Sequence, residues 1–251
     1  MRDAWLVLPT YNEAENIEEF VAAVRDKLPA SARVLIVDDN SPDGTGRIAD
    51  RLAAEHGNVE VLHRSRKEGL GPAYIAGFRQ ALAGGADLVL EMDSDFSHDP
   101  AYLPRLLEAA ERADLVLGSR YVPGGGVGDW GPLRRAISRG GSAYARLVLG
   151  IGVRDPTAGF KCFRREVLEA LDLDSIDAHG YAFQVEMTYR TILAGFRVVE
   201  VPIVFRDRRA GSSKMDGRIV AEAVWRVPLL RFNGRGAKRP APGAEGRRYT
   251  F

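Results

Sequence analysis

Five short apolar runs, Trp5–Leu8, Arg33–Val37, Val59–Leu62, Asp87–Met92 and Asp114–Gly118, punctuate the first half of the chain, and the spacing of apolar residues between them predicts helices over about 13–28, 45–56, 71–83 and 101–112. Strands joined through helices of this length run parallel, because an antiparallel pair needs only a short turn. The pattern therefore specifies an α/β fold, a mostly parallel sheet with helices on both faces. In such a sheet ligands bind outside the carboxyl ends of the strands. Function should then be sought in the residues that follow each run.

Those residues are polar. The first run leads into Pro9-Thr10-Tyr11-Asn12-Glu13, the second into Asp38-Asp39-Asn40-Ser41-Pro42-Asp43-Gly44, and the fourth into Asp93-Ser94-Asp95. Two hard oxygen donors at a strand end suit Mg²⁺ or Mn²⁺ held against a diphosphate. The same residue types also cap helices, Thr10 or Asn12 for the first helix and Asp43 for the second, and one loop can do both. Neither Gly-x-Gly-x-x-Gly after the first strand nor a Gly-x-x-x-x-Gly-Lys-Ser/Thr motif occurs. A glycine-rich phosphate cradle is excluded, and a metal with cationic side chains is the alternative way to neutralise a diphosphate.

Beyond Arg120 the regular alternation ends. Pro123–Gly128 reads as a flexible loop, Leu133–Gly150 as one amphipathic helix, Asp155–Phe160 as turn and strand, and Glu166–Leu171 and Tyr181–Leu193 as helices. Arg197–Phe205 reads as a strand, Gly211–Ser213 as a loop, Ile219–Phe232 as a helix, and residues 233–251 as a basic disordered tail without a core. The apolar face of that last helix fits either the core or a membrane surface. Arg120, Arg134, Arg135, Ser138 and Arg139 form a basic group with three readings: an exposed basic face, an attractor for anionic headgroups, or a site for a phosphate monoester, which needs Arg forks and a hydroxyl donor.

With 251 residues, 45% of them hydrophobic, the chain can bury one large core, and a net charge of +1 argues against nucleic acid as a partner. The single cysteine, Cys162, excludes an intrachain disulfide and reads as buried packing; the four histidines are scattered, so a structural zinc site is not expected. The N-terminus enters its first strand without the basic and cleavage regions of a signal peptide, and no apolar stretch approaches the ~20 residues of a spanning helix. Any membrane contact is expected to be peripheral, and the lone cysteine fits a reducing cytoplasm.

The three strand-end motifs, with Gly118-Ser119-Arg120-Tyr121, resemble the signature set of family-two glycosyltransferases of the GT-A (Rossmann-like) fold. Within these the chain is most similar to the dolichol-phosphate (polyprenol-phosphate) mannosyltransferases. The likeness extends through Trp130-x-x-Leu133-Arg134-Arg135-x-Ile137-Ser138-Arg139-Gly140, Asp155–Phe160, Gly180–Met187 and Asp207-Arg208-x-x-Gly211-x-Ser213-Lys214, and covers roughly residues 4–232.

This resemblance implies a catalytic domain over 1–232, with a nucleotide-sugar half to about residue 120, an acceptor half after it, and C-terminal amphipathic helices. Pro9, Tyr11, Glu13, Val37 and Asp39 would line the nucleoside pocket, and Asp93 and Asp95, with Ser94 between them and Ser97 as a third contact, would hold the metal and diphosphate. Arg208 and Lys214 would close over the diphosphate, and Arg120, Arg134 and Ser138 would bind the acceptor phosphate. The implied reaction moves mannose from GDP-mannose to a polyprenyl phosphate with inversion, at the cytoplasmic face of a membrane, with a membrane-anchoring partner as one means of attachment. A phosphate acceptor is already anionic, so no catalytic histidine is required, and His56, His63, His98 and His179 read as surface or structural. Two further readings stand: a related hexosyltransferase using UDP-glucose or another donor, and a non-catalytic nucleotide-sugar-binding protein.

Overall fold

The computed structural model describes residues 2–128, 130–176, 180–207 and 225–232. Strands β1 (Ala4–Thr10), β2 (Arg33–Asp38), β3 (Val59–His63), β4 (Leu88–Glu91) and β5 (Leu115–Ser119) fall where the apolar runs put them, connected by α1 (Ile17–Lys27), α2 (Thr45–Glu55), α3 (Leu70–Ala83) and α4 (Leu103–Ala109). Helix α1 starts later than the spacing suggested, because residues 13–16 form a turn closed by the Glu13 carbonyl. Helix α4 is preceded by a 3₁₀ turn at Pro100–Tyr102, where the Asp99 carboxylate accepts from the Ala101 amide.

The second half supplies β6 (Gly126–Val127), α5 (Pro132–Leu149), β7 (Lys161–Arg164), α6 (Arg165–Ala170), α7 (Gly180–Leu193), β8 (Val198–Pro202) and β9 (Val204–Phe205). The strand expected within 155–160 lies instead at β7, because Asp155–Phe160 is used as a turn. The long strand expected over 197–205 is divided at Ile203, and its second part pairs with β6, so the glycine-rich loop carries a short ladder. The main sheet has the order β3-β2-β1-β4-β7-β5-β8 and is parallel except at β7, which runs antiparallel between β4 and β5.

Strands buried on both faces explain the continuous apolar runs. On β1, Leu6 and Leu8 pack under α1, α2 and α4, while Trp5 and Val7 pack under α3 and α7. A smaller cluster joins α5 and α7 to residues 225–232 through Leu149, Tyr189 and Val227. Cys162 is buried as expected, and burial pushes its thiol up to about 12, far from reactive. The proposed tail over 233–251 and the first part of the Ile219–Phe232 helix lie outside the described residues; 225–232 are helical.

Helix α3 rides close on β1 because Gly77 has no side chain: a Cβ there would lie 2.3 Å from Val7 Cγ1. Alanine would gain about 1 kcal/mol of helix propensity but overpack a rigid β-branched contact, at a cost of about 1–3 kcal/mol. Gly77→Ala should therefore lower the melting temperature by a few degrees, as read by thermal denaturation; an unchanged or raised value would show that α3 can lift off the sheet freely.

Candidate active site

The carboxyl ends of β1, β2 and β4 open onto a cavity of about 500 Å³. Its lower rim is a stitched pair of loops. The Asn12 amide donates to Ser41 Oγ at 3.1 Å, Glu13 N–H to Thr45 Oγ1 at 2.9 Å, and Ala14 N–H to Asp43 Oδ2 at 3.1 Å. Asp43 also accepts from the Thr45 amide, although the cap position of α2 is Gly44; Thr10 caps nothing, its hydroxyl donating back to Val37 O. Asn12, Asn40 and Phe96, one in each strand-end loop, have positive φ of 58°, 57° and 62°. For a ring as large as Phe96 this is an unfavourable conformation, held by packing on Phe20 at 4.9 Å, and such strain concentrates at ligand-binding loops.

Pro9, Tyr11, Glu13 and Asp39 line this part of the cavity. Lys67, from the loop before α3, covers the Tyr11 ring at 3.8 Å. Arg64 Nη1 reaches Asp39 Oδ1 at 2.5 Å and also holds Glu68. Burial pushes the Asp39 carboxyl up, with Arg64 pulling against it. Val37 does not reach the cavity: it is fully buried beneath α3, close to Gly77. The run Arg64–Lys67 carries no signal in the sequence beyond charge, and its placement depends on where α3 begins.

Asp93, Ser94 and Asp95 line the cavity centre. Tyr74, buried in α3, donates to Asp93 Oδ1 at 3.4 Å, Ser94 Oγ donates to Pro9 O at 3.2 Å, and Asp95 Oδ1 accepts from the Ser97 amide at 3.0 Å. His98 is not on the surface. It is buried against Phe160 and Phe205, its Nδ1 3.9 Å from Asp93 Oδ2. Among the described residues, Ser97 Oγ is buried with no hydrogen-bond partner. Ser97 does not line the cavity, but the carboxylates of Asp93 and Asp95 do, and as hard oxygen donors they fit Mg²⁺ or Mn²⁺. Among the described residues no group of three or more His, Cys, Asp or Glu is placed to hold a metal.

The far wall carries the arginines. Arg120 is buried and donates from Nε and Nη2 to both oxygens of Asp155, at 2.8 and 2.7 Å, and from Nη2 to Thr157 Oγ1 at 2.7 Å, and it lines the cavity. Burial opposes the charge on Asp155, but the Arg120 guanidinium and the hydrogen bonds it receives outweigh this and hold its carboxyl below the usual range. Arg134 lines the cavity from the first turn of α5. Ser138 does not; its Oγ accepts from the Tyr121 hydroxyl at 2.6 Å, one turn further along the helix. Arg208, Lys214 and His179 lie outside the described residues.

The family model for glycosyl transferase family 2 matches residues 5–172. An undecaprenyl-phosphate mannosyltransferase of Micrococcus luteus is 54% identical over 221 residues, covering 88% of this chain and 90% of that protein. A polyprenol monophosphomannose synthase of Mycolicibacterium smegmatis is 48% identical over 232 residues, covering 92% of this chain and 87% of that protein. In three dimensions the chain is similar to glucosyl-3-phosphoglycerate synthase of Mycobacterium tuberculosis, solved with Mn²⁺, UDP-glucose and glycerol 3-phosphate, with a TM-score of 0.65 at 22% identity over 96% of this chain and 82% of that one. That likeness establishes the GT-A fold.

Removing one member of a buried ion pair strands the other, at a cost of about 3–5 kcal/mol. Asp155→Asn should lose stability on this scale in urea denaturation. Because the carboxyl titrates lower in the folded state, its contribution is present above about pH 4 and is lost as pH falls through the folded value. The acid limb of the wild-type stability curve should accordingly be shallower in the variant, and matching curves would refute the assignment.

Proposed function

The chain belongs to glycosyl transferase family 2, and from that premise we propose that it transfers mannose from GDP-mannose to the phosphate of a polyprenyl monophosphate, releasing GDP. The observation that supports this most is that one cavity is lined both by the carboxylates Asp93 and Asp95 and by the cations Arg120 and Arg134. The first pair suits a metal-bound donor diphosphate and the second an anionic acceptor, and two close relatives carry the names of polyprenyl-phosphate mannosyltransferases.

In this reading Tyr11, Pro9, Glu13 and Asp39 hold the nucleoside, with Arg64 fixing the Asp39 carboxylate. Asp93 and Asp95 hold Mg²⁺ or Mn²⁺. When bound, the cation supplies positive charge to the departing diphosphate. Tyr74 and the Ser97 amide keep the two carboxylates oriented toward the cavity. Arg120 and Arg134, with Ser138 at the neighbouring turn, draw the acceptor phosphate to the opposite side, and Arg208 and Lys214 add charge to the donor diphosphate.

An acceptor oxygen then attacks the anomeric carbon as the bond to the donor β-phosphate oxygen breaks, inverting an α-linked sugar to a β-linked one. Near neutral pH the acceptor is largely dianionic, its second pKa being about 6. No side chain has to remove a proton, so no general base is assigned.

A lipid substrate places the protein at a bilayer, and we assign it to the cytoplasmic face. No described helix is long and apolar enough to cross a membrane. Residues 225–232 instead turn Val227 inward and expose Trp225 and Phe232 at 75% and 76%, while α5 exposes Leu133 at 73% and Ile137 at 48% beside Arg135 and Arg139. Apolar side chains flanked by arginines suit an anionic lipid surface. A separate membrane-anchoring partner would add to this attachment.

Incubation with Mg²⁺, short-chain polyprenyl phosphate and a panel of labelled nucleotide sugars should give organic-extractable product from GDP-mannose. Product from UDP-glucose alone, or donor binding without product, would overturn the assignment. Asp95→Ala should reduce turnover by a factor of about 10²–10³, in line with losing electrostatic stabilisation of a leaving group, and full activity would refute the metal site. Replacing Trp225 and Phe232 together with Ser should lower partitioning onto anionic vesicles by about tenfold or more, since each buried aromatic contributes about 1.5–3 kcal/mol. Equal partitioning would mean that another face meets the membrane.

A further inference from the structure

Two hydrogen-bond donors at the mouth of the cavity converge on a single carboxylate oxygen. Trp130 Nε1–H and Arg134 Nη1 both donate to Asp207 Oδ1, at 3.0 and 2.6 Å, and the Arg134 guanidinium lies 4.1 Å from the centre of the Trp130 ring. All three residues line the cavity. Neither the motifs nor the charge pattern assigned a role to the indole N–H.

The donors are held and the acceptor is not. Trp130 is buried at 7% exposure, edge-on to Phe205 at 5.4 Å, with its amide bonded to Gly128 O at 2.7 Å. The ring in turn supports the guanidinium by cation–π contact. The side chains of Arg134 and Asp207 are 36% and 46% exposed, so their ion pair is of the weak, screened kind. Asp207 follows β9 at the point where the Arg206 amide bonds Ser97 O at 3.0 Å, which keeps its carboxylate within reach of the seat.

An indole N–H and a guanidinium that converge on one oxygen make a small oxyanion site. A phosphate monoester brings nearly two charges and three acceptor oxygens to such a site, and it matches the planar arginine fork. One exposed carboxylate is a poor competitor against it. We propose that Trp130 and Arg134 form an anion seat that Asp207 fills while the acceptor is absent, and that the acceptor's phosphate monoester enters by displacing this carboxylate. The inference rests on the transferase reading above and deepens it: Trp130 becomes an acceptor ligand, and Asp207 an internal stand-in for the acceptor phosphate.

A structural tie and a displaceable stand-in predict opposite signs for the same substitution. If Asp207 only braces Trp130 and Arg134, its neutralisation loosens the seat and weakens the acceptor. If it competes, neutralisation tightens the acceptor.

The test is equilibrium binding to the purified full chain, with short-chain polyprenyl monophosphate in detergent in one arm, inorganic phosphate in a second, and GDP with Mg²⁺ in a third as a control for folding. Asp207→Asn should bind the lipid phosphate about two- to fivefold more tightly, the range lost with one exposed competing pair, and inorganic phosphate should shift the same way. Trp130→Phe should weaken the lipid phosphate about tenfold or more, as expected for a lost hydrogen bond to a charged group, and the indole fluorescence change on acceptor binding should shrink. Weaker or unaltered acceptor binding in Asp207→Asn overturns the proposal, as does tightening confined to the lipid while inorganic phosphate is unaffected. If Trp130→Phe also loses GDP binding, it has misfolded and Asp207→Asn alone decides. Wild-type binding on this pattern without mannosyl transfer would sink the transferase reading and leave the seat standing; transfer by the wild type with no tightening in Asp207→Asn would sink the seat alone.

Discussion

A lysine and a glutamate without solvent contact set the geometry of the functional edge. Lys161 begins β7 and Glu91 ends β4; both are fully buried, 3.0 Å apart, and directly opposed in the antiparallel register of the two strands. Burial pushes the glutamate up and the lysine down, each toward its neutral form, and their mutual attraction opposes both shifts. A pair of this kind is weak evidence for stability, because desolvation consumes most of what the attraction supplies. Its consequence is register. Slipping β7 by one residue would turn Lys161 to the other face of the sheet and leave both charges without a partner. Asp93 follows two residues after Glu91, and Lys161 also donates to the Gln184 carbonyl and side chain in α7. One pair therefore fixes β4, the reversed strand and the helix behind it.

The reversed strand brings the Asp155–Phe160 turn to the cavity in a sheet that is otherwise parallel. The turn before it, Asp155–Phe160, is pinned to β8 by Glu200, which accepts from the Arg154 and Asp155 amides, and Asp155 then grips Arg120 at the end of β5. Residues far apart in sequence reach one wall of the cavity through this antiparallel insertion.

The sequence made legible whatever depends on local period and local chemistry: the strand-helix alternation, the polar strand ends and the Asp93-Ser94-Asp95 step. It was least informative where placement depends on distant packing. Val37 belongs to a strand-end motif, yet period two turns its side chain under α3, and the motif alone does not show which face is the core. β7 is four residues with Lys and Arg at its ends, so the pattern puts the strand a few residues earlier, within Asp155–Phe160, and its true place shows only once the buried partner of Lys161 is visible. His98 resembles a surface histidine in a polar loop, but Phe205, more than a hundred residues later, folds over it. The Asp207 contacts with Trp130 and Arg134 span 77 and 73 positions, beyond any local pattern.

Arg120 and Arg134 illustrate how burial divides roles that sequence alone makes equivalent. Both sit in motifs that suggest phosphate binding, and both carry a carboxylate partner. The partner of Arg120 has no exposure, so removing it leaves a charge in low dielectric, and the pair behaves as part of the frame. The partner of Arg134 is nearly half exposed, and water can replace it at small cost. An incoming anion can therefore exchange with one carboxylate and not with the other. On one wall of the cavity, the carboxylate that stays and the carboxylate that can give way are distinguished by the solvent exposure of two ion pairs, not by the residue types that form them.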